Sequence, residues 1–114
     1  MRFLNNSWLV HANKNLVNNA GIGHYVGTLD TTKEQLEETF VVNVFGTVYV
    51  TKAVVPHMPA GGRIINITSI ASKMGLDIMA AYGASKAALD SLTYSWALEV
   101  STFQRTKPAK VLLT

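Results

Sequence analysis

Ser69, Tyr82 and Lys86 are the residues whose types and spacing could do chemistry together. Tyr82 and Lys86 stand at i and i+4, so on a helix a phenol and an ammonium would face the same space. A phenol with a pKa near 10 is a poor acid and a worse base at neutral pH. A fixed ammonium favours the phenolate and lowers that pKa, which poises the group for proton transfer. A shift of about three units needs roughly 4 kcal/mol of differential interaction. One lysine falls short of that, so a second positive charge would help. Ser69 closes an apolar strand and could donate a hydrogen bond to a substrate oxygen.

Tyr82, Gly83, Ala84, Ser85 and Lys86 form a Tyr-x-x-x-Lys motif with an Ala-Ser-Lys ending, and Asn18, Asn19, Ala20 and Gly21 form Asn-Asn-Ala-Gly. Asn43 stands in Val-Val-Asn-Val-Phe-Gly, amid apolar neighbours. At these residues the sequence resembles the short-chain dehydrogenase/reductase family, over roughly residues 15 to 101. The resemblance implies the middle portion of an α/β, Rossmann-like doubly wound parallel sheet. It implies an NAD(P)-dependent oxidoreductase that moves hydride between a nicotinamide cofactor and a carbonyl or alcohol substrate. In that reading Tyr82 is the acid/base, Lys86 lowers its pKa and binds the ribose, and Ser69 orients the substrate oxygen. Asn43 supports a water-borne proton relay from the lysine, and Asn19, Ala20 and Gly21 line the cofactor beside Tyr82 and Lys86. The oxidised nicotinamide supplies the second positive charge. NADP is slightly favoured over NAD, although the residues that set the choice, like those that set the substrate, fall in family segments with no match here.

Each element of the match also has a plainer reading. Tyr82 could be a helix-surface tyrosine beside a solvated lysine, and Asn18 to Gly21 a simple turn. Asn43 could be a solvated helix-face amide. If it is buried instead, it must be hydrogen-bonded or cost roughly 1–3 kcal/mol.

The elements that must position these residues follow from the patterning. Asn15 to Asn18 reads as a short strand stopped by Ala20-Gly21. Residues 31 to 58 read as a long helix, with Thr31 and Glu34 as a capping box and Leu36, Phe40, Val44, Val48 and Val55 as its apolar stripe. Pro56 and Pro59-Ala60-Gly61-Gly62 end it. Arg63 to Thr68 reads as a buried strand, and residues 81 to 100 as a helix with Ser85, Ala88, Leu89, Leu92 and Trp96 facing the core. Gly21, Gly23 and Gly27 are spaced one residue too long for G-x-G-x-x-G, and no acidic residue follows at the needed distance, so they read as loop punctuation.

Composition narrows the remaining classes. The 114 residues are 48% hydrophobic, which suits one small globular domain. Without cysteine there is no thiol nucleophile or thiolate metal site, and His11, His24 and His57 share no ligand spacing, so no metal is expected. Gly83-Ala84-Ser85-Lys86-Ala87 approaches a hydrolase nucleophile elbow, but no histidine follows His57 to serve as its base. The pI of 9.3 comes from Arg105, Lys107 and Lys110 in the tail, because residues 1 to 100 carry seven basic and seven acidic side chains. That argues for a solvated tail rather than a nucleic-acid surface. No apolar run long enough for a membrane span and no signal-peptide h-region is evident, so a cytoplasmic location is expected.

The domain organisation expected is an atypical lead-in over 1–14, a partial NAD(P)-binding domain over 15–101 and a basic non-family tail over 102–114. The resemblance implies a truncated member or fragment, because the family's pyrophosphate loop and its later strands find no match. Two strands and two helices would leave Leu16, Ile64 and Ile65 partly exposed, hence marginal stability or association. A second function follows: a non-catalytic fragment acting only by association through helices 31–58 and 81–100, which build a subunit interface in the resembled family, as a homo-oligomer or with complete relatives.

Overall fold

Three short parallel strands carry the architecture, in spatial order β1 (Asn15–Asn18), β2 (Arg63–Asn66), β3 (Lys110–Leu113). The structure is a computed structural model that describes residues 15–59, 61–103 and 110–113. The register pairs Leu16 with Ile64 and Asn18 with Asn66, and on the other side Ile64 with Val111. The lead-in 1–14 lies outside the described residues, so its expected irregular form has no counterpart here. Of the tail expected to be solvated, Arg105 and Lys107 lie outside the described residues. Lys110–Leu113 carries the apolar run Val111, Leu112, Leu113 and joins the sheet, making three strands where two were expected.

The β1-to-β2 connection runs through one continuous helical stretch: α1 (Lys33–Phe40), a π-helical segment (Val41–Gly46) and α2 (Thr47–Val54), closed by a 3₁₀ turn Val55–His57. The N-cap is Thr32 rather than Thr31. Its hydroxyl accepts from the Gln35 amide at 3.1 Å, and the Gln35 side chain accepts from the Thr32 amide at 3.1 Å. The capping box is therefore Thr32–Gln35, one residue along from the expected pair. The Thr31 hydroxyl instead donates to the Gly27 carbonyl at 3.0 Å. The β2-to-β3 connection carries α3 (Ala80–Phe103).

Right-handed crossovers that advance in the same direction across a parallel sheet place both helices on one face. There Ile64 (fully buried), Val55, Met58, Trp96 and Val100 form the core, with Leu16, Val48, Val54 and Leu92 packed around it. Ile64 is thus covered where exposure was expected, whereas Leu16 and Ile65 are half-buried and Val17, pointing to the opposite face, is 52% exposed. Trp96 is core packing, as its helical spacing suggests.

The inward line of the first helix differs from the apolar stripe read from the sequence. Thr39, Asn43, Thr47, Thr51 and Val55 are buried at spacing four, and Leu36 is 44% exposed. Threonine tolerates this burial because its hydroxyl can bond one turn back: Thr39 donates to the Gln35 carbonyl at 2.8 Å and Thr47 to the Asn43 carbonyl at 2.9 Å. Small, self-satisfied side chains let the helix lie close to the sheet and α3, and they turn Val41, Phe45 and Tyr49 outward, 50–67% exposed. The continuous helix Lys33–His57 reaches a mean hydropathy of 1.3 over an 18-residue window, so by length and composition it could cross a membrane, contrary to the run-based expectation. Its buried polar line is that of a helix packing inside a globular fold.

Candidate active site

The C-terminal ends of β1 and β2 lie side by side, and the loops leaving them meet the first turns of α3. In open parallel α/β sheets this edge is where ligands bind. Asn18 and Asn66 close the two strands at matched register and lock the edge. The Asn18 side-chain amide donates to Asn66 Oδ1 at 2.8 Å and to the Thr51 hydroxyl at 3.1 Å, while the Asn66 side-chain amide donates to the Thr93 hydroxyl at 2.9 Å. Thr93 passes its own proton to the Leu89 carbonyl at 2.7 Å. One buried ladder thus ties both strands to both helices. Asn66 is fully buried and its amide is engaged.

Lys86 is the electrostatic centre of the edge. It is 3% exposed, its Nζ donates to the Ile67 carbonyl at 3.1 Å, and it stands 5.7 Å from the centroid of the Tyr82 ring. Burial holds its pKa below the usual lysine value. Among the described residues no carboxylate pairs with it. Tyr82 is half-buried, so its ring is braced while an edge stays open. A Cβ on Gly23 would come within 2.9 Å of the ring, which makes that glycine part of the brace.

Ser69 follows β2 and caps a 3₁₀ turn, Ile70–Ser72. Its hydroxyl oxygen accepts from the Ala71 amide at 3.2 Å, which leaves the hydroxyl proton free to donate outward. Helix α3 presses on this turn: a Cβ on Gly83 would stand 2.6 Å from the Ala71 carbonyl oxygen. The serine turn and the Tyr82–Lys86 turn are therefore in contact.

Asn43 lies in the π-helical segment and is fully buried. Its amide donates to the Ile22 carbonyl at 2.8 Å and to the Ser85 hydroxyl at 2.9 Å, and its oxygen accepts from the Ile22 amide at 2.8 Å. The alternative of a solvated helix-face amide does not hold. The Ser85 hydroxyl donates a hydrogen bond to the Tyr82 carbonyl at 2.7 Å. Sequence reasoning placed Ser85 in an apolar stripe; it is instead a polar link between Asn43 and the Tyr82 turn. The signal was present, since a buried serine at i+3 from Tyr82 needs a partner.

Asn19, Ala20 and Gly21 are exposed on the rim of the same edge. A Cβ on Gly21 would stand 3.0 Å from Lys86 Nζ and 3.3 Å from Asn43 Oδ1. A glycine there keeps open a cradle that any side chain would fill. The structure thus brings Asn43, Ser69, Tyr82, Lys86 and Gly21 into one locality, with Asn19 and Ala20 at its border. A further backbone bond, the Val26 amide to the Ile78 carbonyl at 3.0 Å, closes the two loops across the mouth.

The chain is similar to known proteins in sequence and in fold. The family model for short chain dehydrogenases matches residues 13–105. A short chain dehydrogenase of Penicillium thymicola, penD, is 46% identical over 87 residues, covering 72% of this chain and 31% of that protein. A solved short chain dehydrogenase/reductase of Burkholderia phymatum, in complex with NAD, superposes with a TM-score of 0.79 at 26% identity, over 87% of this chain and 36% of its own. ElxO with NADP bound superposes with a TM-score of 0.76 at 30% identity, over 87% of this chain and 40% of its own. The chain spans about a third of the length of the curated relatives it matches.

Proposed function

This chain belongs to the short-chain dehydrogenase/reductase family, and from that premise we propose that it carries the catalytic edge of an NAD(P)-dependent oxidoreductase acting on a carbonyl/alcohol pair. The observation that carries the reading is Lys86. A lysine buried to 3% exposure, with its pKa lowered by burial and with no carboxylate partner among the described residues, is costly to fold. Its position beside the Tyr82 ring and the Gly21 cradle gives that cost a use.

The residues fit a nicotinamide cofactor. Asn19, Ala20 and Gly21 would line it where the glycine leaves room, and Lys86 Nζ, which stands next to that room, would hold the ribose. When bound, the group supplies or accepts hydride. Tyr82 gives its phenolic proton to the substrate oxygen in reduction and takes it back in oxidation. Lys86 stabilises the phenolate that results, through a charge held in a low-dielectric setting. Ser69 donates its free hydroxyl proton to the same substrate oxygen and so orients it. Asn43 acts by fixing Ile22 in the loop after β1 and Ser85 beside the Tyr82 turn, and in this reading it would support the proton relay from the lysine. NADP is our slight preference over NAD, and a small carbonyl or alcohol the substrate class. A cytoplasmic location goes with this reading.

The test is turnover of ketones with NADPH or NADH by the 114-residue chain, compared with Tyr82→Phe. Turnover should vanish in the variant, with the melting temperature little changed. Equal turnover in both forms would refute the assignment of Tyr82.

The outward row of Val41, Phe45 and Tyr49 favours a second reading, association of copies through the helices over 31–58 and 81–100. Val41 and Phe45 of this row, together with Leu36, Glu37 and Phe40, line a largely apolar depression of about 360 Å³. Sedimentation at micromolar concentration should show a dimer or larger species; a monomer throughout would remove this reading.

A further inference from the structure

Asp90 and Lys73 form a cluster that the proposed chemistry does not use. Asp90 lies on α3 one turn beyond Lys86 and is 6% exposed, whereas the Lys73 side chain is half exposed. Lys73 Nζ meets Asp90 Oδ2 at 2.6 Å, and Asp90 Oδ1 is buried with no hydrogen bond of its own. Surface ion pairs contribute little, but a pair with one member buried is different: without the ammonium, the carboxylate inside the fold keeps only its side-chain contacts with Ser72 and Thr68.

The place of this pair gives it a role. Lys73 ends the turn that Ser69 begins, its amide bonding to the Ile70 carbonyl at 2.9 Å. Within the turn the Ser72 amide and hydroxyl both bond to the Ser69 carbonyl, at 3.0 and 2.7 Å. The turn therefore moves as one unit. Helix α3 grips the segment along its length: Lys86 on the Ile67 carbonyl before Ser69, the Gly83 surface on Ala71 after it, and Asp90 on Thr68, Ser72 and, at the far end, Lys73. The same helix face carries Tyr82.

We propose that the Lys73–Asp90 ion pair is a positioning device that locks the Ser69 turn to α3 and so fixes the direction of the Ser69 hydroxyl relative to Tyr82. Asp90 and Lys73 touch no reacting atom; they act through the turn. The inference rests on the reading of Ser69 as the group that orients the substrate oxygen.

The test uses Asp90→Asn and Lys73→Met in the 114-residue chain, with Lys73→Arg as the conservative variant. Amide hydrogen exchange at Ala71, Ser72 and Lys73 should quicken by at least about tenfold in both disruptive variants, while Leu89 and Thr93 stay as they were. Lys73→Arg should restore protection. In turnover, kcat should fall by about tenfold with the cofactor KM unchanged, and the arginine variant should recover it. Exchange at the turn that matches the unaltered chain in both variants overturns the lock. A loosened turn with unchanged kcat overturns the positioning role. If the unaltered chain shows no turnover, the oxidoreductase reading fails by itself, and exchange with its rescue by arginine still decides the lock. Should Asp90→Asn fail to fold, Lys73→Met, altered on its exposed side, carries the test.

Discussion

Replacing Asn43 by alanine tests the construction of the site most directly. The side chain makes three hydrogen bonds from a fully buried position, two of them to the backbone of Ile22 and one to Ser85. At about 1 kcal/mol net per bond the loss is about 3 kcal/mol. Ile22 is half-buried, so its amide and carbonyl can recover water only in part, while Ser85 keeps its bond to the Tyr82 carbonyl. A destabilisation between about 2 and 4 kcal/mol follows, against a total of about 5–15 kcal/mol for a domain. In a chain of this size that is a fall of about 8–16 °C in Tm, at about 4 °C per kcal/mol. Urea unfolding followed by far-ultraviolet circular dichroism measures the loss, and amide exchange at Ile22 locates it. A loss below about 0.5 kcal/mol, with Ile22 as protected as before, would refute the argument that Asn43 stitches the loop to the helix.

Three further outcomes follow from the same structure. Lys86→Met should leave stability equal or higher, since a desolvated ammonium is removed, yet abolish any upward shift of Tm by NADPH. The folded-state pKa of Lys86 lies below its unfolded value, so the unfolded chain binds more protons between the two. Stability should therefore rise with pH across that window, and the methionine variant, compared by denaturant midpoints in alkaline buffers, should lack that share of the rise. Asp90 behaves oppositely. Burial raises its pKa, but the Lys73 ammonium, aided by the Ser72 and Thr68 hydroxyls, holds it below the usual carboxylate range. Its stabilisation is present above its unfolded pKa of about 3.9 and lost as pH falls through the folded value, so Asp90→Asn should flatten the acid limb of a urea-midpoint titration. Ile78 takes a left-handed φ of 52°, costly for a β-branched residue, and it is 47% exposed. Ile78→Gly should stabilise the chain by about 0.5–1 kcal/mol in the same urea assay, the relief exceeding the entropy that glycine adds to the unfolded state.

The fold and the candidate site residues were legible because they leave local marks. Tyr82 and Lys86 face one space since helical spacing dictates it, and β1 ends at Asn18 as read, whereas β2 ends at Asn66, two residues short of the Thr68 expected. The supports were harder to read because they are polar residues in buried places. Thr39, Thr47 and Thr51 look like surface on any apolar count, yet two of their hydroxyls are satisfied one turn back and the third by Asn18. The capping box was displaced by one residue because Thr31 and Thr32 both fit the pattern, and only the loop's use of Thr31 decides between them. Lys110–Leu113 was hidden by its basic surroundings, although three consecutive apolar residues were enough to make a strand beside β2. The Lys73–Asp90 pair spans 17 positions, beyond the reach of any helical or strand period.

The Asn18–Asn66 contact also bears on how the strands find one another. Apolar alternation alone fixes which face of a strand turns inward, so a slip by two residues would keep every hydrophobic side chain on its proper side. The amide pair removes that freedom. With β1 and β2 offset by two, Asn18 and Asn66 would no longer meet, and two buried amides would each forfeit partners at about 1–3 kcal/mol. The correct alignment is thus distinguished from its nearest competitor by a polar handshake at the strand ends. That handshake lies at the same edge as Lys86 and Ser69, so mispaired strands and a misassembled site are one and the same error.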